Sequence, residues 1–123
     1  MQYTKEADFG VRLRHWLRAN PQYSSVYELK QTMSNALAFD SLAEHQANYL
    51  ESVSSDKGTL IRVQGTSGEP DYVYLRNCPA YVVVKYPESF HFITIGAWLH
   101  EQSKSTRKSL TSARAREIAT ISV

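Results

Sequence analysis

Four strand-like runs crowd into residues 59–95, and the connections between them leave little room for anything but tight reversals. The runs are residues 59–63, 72–76, 80–86 and 90–95, separated by breakers at 65–70, 77–79 and 87–89. A parallel return needs a crossover of a dozen residues or more, whereas a hairpin needs only a few. This half of the chain is therefore expected to be an antiparallel meander. With 123 residues in all, there is room for one domain (1–123), so the other segments must cover that sheet.

Those segments read mainly as helices. Residues 4–19 place Phe9, Leu13, Trp16 and Leu17 at helical spacing, with Thr4 as N-cap and Glu6 and Asp8 near the positive end of the dipole. Arg12, Arg14 and Arg18 face elsewhere, and Asn20-Pro21 ends the helix. Residues 24–31 alternate and predict a short strand, and residues 33–38 a connecting loop. A second helix is expected over 40–53, with Ser41 and Glu44 at capping-box spacing. Along one side it carries Leu42, Gln46, Tyr49, Leu50 and Val53, a glutamine within an otherwise apolar face. Residues 96–102 suggest a short helix, 103–108 a basic loop and 110–120 a final helix. This order predicts an α/β (α+β) domain, a mixed sheet flanked by helices.

Several chemistries are excluded. A single cysteine, Cys78, allows no internal disulfide and no cysteine-based zinc site. His15, His45, His91 and His100 lack zinc spacing, and no P-loop, G-x-S-x-G or G-x-G-x-x-G is present. The longest nearly apolar stretch, 80–84, is too short to span a bilayer, and residues 1–8 lack the apolar core of a secretory signal. A cytoplasmic location is the expectation, that of the host if the chain is phage-encoded. Net charge is only +2, but Lys104, Arg107, Lys108, Arg114 and Arg116 form a cationic run with no acid before Glu117. Interleaved with Ser105, Thr106, Ser109, Thr111 and Ser112, these groups suit phosphate oxygens.

The segment Tyr27-Glu28-Leu29-Lys30-Gln31-Thr32 carries the most specific chemistry. Alternation along a strand puts Glu28 and Lys30 on one face, with Cα atoms about 7 Å apart. The carboxylate is suited to a hard divalent cation, and the ammonium to orienting water or offsetting charge on a phosphate.

This strand, a loop and then Phe39-Asp40-Ser41-Leu42-Ala43-Glu44-His45-Gln46-Ala47-Asn48-Tyr49-Leu50 resemble the PD-(D/E)xK nucleases, Holliday-junction resolvases of phage or archaeal type in particular. The resemblance is specific from Glu28 to Leu50 and extends more loosely from Glu6 to Ile95. It implies a restriction-endonuclease-like core, Mg²⁺ or Mn²⁺ as cofactor, branched DNA as substrate and a homodimer with two active sites. It assigns catalysis to Glu28 and Lys30, a supporting role to Gln46, and a further ligand to Glu6 on the first helix. The chain departs from the family in having no aspartate between its first helix and Glu28. Its one Pro-Asp pair, Pro70-Asp71, follows the second helix, so Asp71 is expected as a metal ligand from a migrated position if its strand lies beside that of Glu28. Lys104, Arg107, Lys108 and Arg114 are the expected DNA contacts. The alternatives are a DNA-binding module without catalysis and a small phage accessory or inhibitory protein.

Overall fold

Val82, Val83 and Val84 are all fully buried, so the strand that carries them must be covered on both faces. The computed structural model describes residues 6–21, 25–64 and 70–123, and their side chains except at 6–8, 63, 64 and 70. The elements are α1 (Glu6–Ala19), β1 (Val26–Gln31), β2 (Ala36–Ala38), a 3-10 turn (Phe39–Ser41), α2 (Glu44–Ser54), β3 (Thr59–Gln64), β4 (Pro70–Leu75), β5 (Ala80–Tyr86), β6 (Ser89–Thr94), α3 (Ile95–Lys104), β7 (Ser109–Thr111), α4 (Ser112–Ile118) and β8 (Ile121–Ser122).

The valine strand, β5, lies inside a four-stranded mixed sheet of order β1-β5-β6-β8. It pairs parallel with β1 and antiparallel with β6. The long connection from β1 to β5 includes α2, which is what parallel pairing demands. Val83 and Phe92 face α1, where Phe9 and Leu13 close a cluster that also takes in Tyr27, Leu29 and Tyr81. Val82, Val84 and Ile93 face the other way, under Leu50 and Val53 of α2, Trp98 of α3 and Ala115 of α4. The result is an α+β domain with its sheet between two helical layers. No helix among the described residues is long and apolar enough to cross a membrane.

The expected single meander is not what forms. β5 and β6 make one hairpin within the main sheet, whereas β3 and β4 pair only with each other as a separate two-stranded ribbon. Gly58, with φ of +71°, starts that ribbon after α2. The second helix also begins later than expected, at Glu44, because residues 39–41 form the 3-10 turn and Ser41 Oγ donates to the carbonyl of Ala38. The anticipated Ser41–Glu44 capping box is thus replaced by a cap built on Ala43 and Gln46. Segments expected as loop or helix contain β2 and β7, which pair antiparallel, and the residues after α4 form β8. Thr4, the expected N-cap of α1, lies outside the described residues.

At the β6–β8 junction, His91 is buried between Ser89 Oγ at 2.9 Å and Ser122 Oγ at 2.6 Å. Burial, then the nearby Arg116 charge, lowers its pKa below the ordinary value of about 6.5. A depressed histidine favours the neutral ring in the folded state, so this stability is present above the unfolded value and lost as pH falls through the folded one. The melting temperature should therefore drop on going from about pH 7 to about pH 5, and His91→Gln should flatten that dependence. Thermal melts across that range check both; equal slopes for parent and variant would mean that His91 carries no pH linkage.

Candidate functional site

β1 is an edge strand whose only ladder partner among the described residues is β5. Register sets Glu28 opposite Val82 and Lys30 opposite Val84, and those valines face the α2 layer. Glu28 and Lys30 therefore rise on the side of the sheet where α2 begins. There, Gln46 sits in the first turn of the helix and uses both ends of its amide. Its Oε1 accepts the N–H of Ala43 at 2.9 Å, satisfying one helix-start donor. Its Nε2 donates to Glu28 Oε1 at 2.9 Å. Lys30 Nζ lies 3.5 Å from the same oxygen, with side-chain exposures of 13% for Lys30 and 27% for Glu28.

Both donors converge on Oε1, and Oε2 of Glu28 accepts no hydrogen bond among the described residues. The carboxylate is thus oriented through one oxygen while the other stays available at a partly open strand edge. Such an oxygen can accept from water or ligate a hard cation. Tyr49 lies one turn along α2 from Gln46 and completes the same side. Its pKa is raised above the usual phenol value by burial first and by the Glu28 charge second. Sequence reasoning assigned Tyr49 only to an apolar helix face. Its three-residue spacing from Gln46 was the signal that the two side chains share a side.

Of the expected ligands, Glu28 alone is placed here. Asp71 is exposed and stands opposite Val63 on the β3–β4 ribbon, which has no ladder contact with β1. The condition for its recruitment, a strand beside that of Glu28, is therefore not met. β4 pairs instead with β3, the strand just before it in the chain, and the two form a sheet of their own. Glu6 opens α1, and its side chain lies outside those described. Among the described residues, no three His, Cys, Asp or Glu side chains gather as a metal cage.

The basic segment lies next to β7. β7 pairs with β2, and the N–H of Phe39 donates to the carbonyl of Lys108 at 2.9 Å, so this loop is tied to the stretch joining β1 to α2. Lys104, Ser105, Thr106, Arg107 and Thr111 help line a concavity of about 350 Å³. The four expected cations are not equivalent. Arg114 holds buried Glu101 in a two-pronged pair, Nε at 2.8 Å and Nη2 at 3.0 Å, and also reaches Glu117 at 2.8 Å. These hydrogen bonds hold Glu101 below the ordinary carboxylate range. Lys104 pairs with the same glutamate at 3.8 Å. Arg107 and Lys108 are exposed and make no ion pair among the described residues, so theirs is the charge free to meet a phosphate.

No protein-family model matches the chain, and no curated protein matches it.

Gln46→Ala should remove both the helix cap and the donor to Glu28, lowering stability by about 2 kcal/mol. Gln46→Glu keeps the cap acceptor but loses the donor and sets a second carboxylate against Glu28, so at neutral pH it too should be less stable than the parent. Urea unfolding measures this, and identical stability of all three proteins would show that the Gln46 bridge contributes nothing.

Proposed function

We propose that the chain is a metal-dependent nuclease that hydrolyses phosphodiester bonds in DNA, at branched or junction structures, as a homodimer. The observation that carries this reading is the Glu28 carboxylate, oriented through one oxygen by Gln46 and Lys30 and, among the described residues, without a hydrogen-bond partner at the other. Mg²⁺ commonly takes one or two protein carboxylates and completes its shell with waters and substrate phosphate oxygens. Glu28 fits that mode as the protein ligand, and Mn²⁺ accepts the same oxygen donors. The ion, when bound, would supply charge stabilisation for the phosphoryl oxygens and activation of water.

The chain's own groups do the rest. Lys30 is mostly shielded and close to Glu28, where its ammonium can orient the attacking water and offset the charge that grows on the phosphate. Gln46 is a positioning residue, holding the carboxylate at the start of a helix. Arg107 and Lys108 would grip phosphates along the duplex without reading sequence. Two copies would present two sites to two strands, as the resemblance to junction resolvases implies.

A second reading, DNA binding without hydrolysis, is favoured by one observation: among the described residues no three His, Cys, Asp or Glu side chains gather as a metal-holding group, and the strand of Asp71 does not pair with that of Glu28. A labelled four-way junction with Mg²⁺ or Mn²⁺ separates the two. Under the nuclease reading the parent cuts, and Glu28→Gln or Lys30→Ala cuts at least about a hundredfold more slowly while still binding. Binding with no cleavage in either metal supports the second reading, and cleavage by Glu28→Gln at the parent rate places the site elsewhere. Replacing Arg107 and Lys108 with alanine should weaken binding to all sequences alike and reduce the salt slope by about 2. An unchanged slope in a salt titration would remove this loop from the DNA surface.

A further inference from the structure

The β3–β4 ribbon displays an aromatic and cationic face to solvent. Register sets Leu60 opposite Tyr74 and Arg62 opposite Tyr72, and directly opposed residues share a side, so these four stand together. Leu60, Tyr72 and Tyr74 are 62%, 55% and 56% exposed, and Arg62 is exposed as well. Asp71 alternates to the opposite side, which leaves no acid on this face among the described residues of the ribbon. A bare two-stranded ribbon is marginal in water, and here three large apolar side chains stand beside an arginine on one open face.

The face is also fixed in place. The Tyr74 hydroxyl donates to the carbonyl of Lys57 at 2.7 Å. Gly58 is tight beneath it: a Cβ there would come within 2.6 Å of that hydroxyl and 2.8 Å of the Leu75 carbonyl. The Tyr74 ring is thereby seated before any ligand arrives.

A second copy of the chain is a poor match. Six residues at about 3.3 Å by two strands at about 4.8 Å give a face of roughly 200 Å², against about 800 Å² per partner in a stable interface. Self-association would also bring two Arg62 guanidinium groups into one small apolar contact. Nucleic acid matches better, because every base has a π-face to lay on tyrosine and every linkage a phosphate for arginine.

We propose that the Leu60, Arg62, Tyr72 and Tyr74 face binds unpaired bases of a nucleic-acid strand. This deepens the nuclease reading and rests on it for the path of the strand: from Gln46 to Ser54 along α2 is eight residues, about 12 Å, or a few nucleotides from Glu28 to the foot of the ribbon.

Fluorescence anisotropy with labelled oligothymidylate and a duplex of equal length, at low salt in EDTA, tests the proposal on the full chain. Tyr72→Ala should weaken oligothymidylate binding roughly 5- to 100-fold, Tyr72→Phe should retain it, and duplex affinity should stay at the parent level. Tyr72 is exposed, so the thermal melt of the variant should match the parent and exclude misfolding as the cause. The proposal is overturned if the parent fails to bind oligothymidylate, if Tyr72→Ala binds it as the parent does, or if single-strand and duplex affinities fall together. Loss of self-association in Tyr72→Ala by sedimentation, with oligothymidylate binding intact, would assign the face to a second copy instead. Junction cleavage run in parallel keeps the two readings apart. Tyr72-dependent binding without cleavage sinks only the nuclease, and cleavage with Tyr72-independent binding sinks only the ribbon.

Discussion

The parallel pairing of β1 with β5 organises most of the molecule. β5 is buried on both faces by consecutive valines, so it needs a helical layer above and below, and β1 is carried along as its neighbour. That pairing puts Glu28 and Lys30 above Val82 and Val84, in the layer where α2 starts. The site is then assembled by a single amide, since Gln46 both caps the start of α2 at the N–H of Ala43 and donates to Glu28. Sheet register, helix start and carboxylate orientation form one connected arrangement.

Much of this was legible in the residues, and the exceptions have physical reasons. The β5 valines, the α1 periodicity and the acid-lysine alternation on β1 are strong local signals, and each formed the expected element. Gln46 stood out because a polar side chain interrupted an apolar helix side. The strands β2, β7 and β8 were not legible because two or three residues cannot display a period. Ser41 and Glu44 had the right spacing for a cap, yet the 3-10 turn at Phe39–Ser41 moved the helix start beyond them. Asp71 shows a limit of a different kind. Its strand was recognisable, but a strand's own residues do not say which sheet it will join, and β4 pairs with β3 and not with β1.

Charge is distributed with similar economy in the C-terminal part. Of the cations that look alike in the sequence, Arg114 is a structural clamp on a buried glutamate, whereas Arg107 and Lys108 project from a loop. Thr111 caps α4 by accepting from the N–H of Arg114, so the residue that starts the helix also places the clamp. A basic run is thus partly internal architecture and partly free surface, and only neighbouring acids tell the two apart.

The alternation of β1 has a final consequence for folding fidelity. Its odd-numbered side chains, Tyr27 and Leu29, lie against the aromatic cluster beneath α1, and the two even-numbered charges point the other way. A slip of one residue against β5 would exchange the two sets, driving an ammonium and a carboxylate into the space around Phe9 and Phe92. Misregistered chains are penalised by the same two groups that give the correct register its chemistry, so the strand proofreads its own alignment.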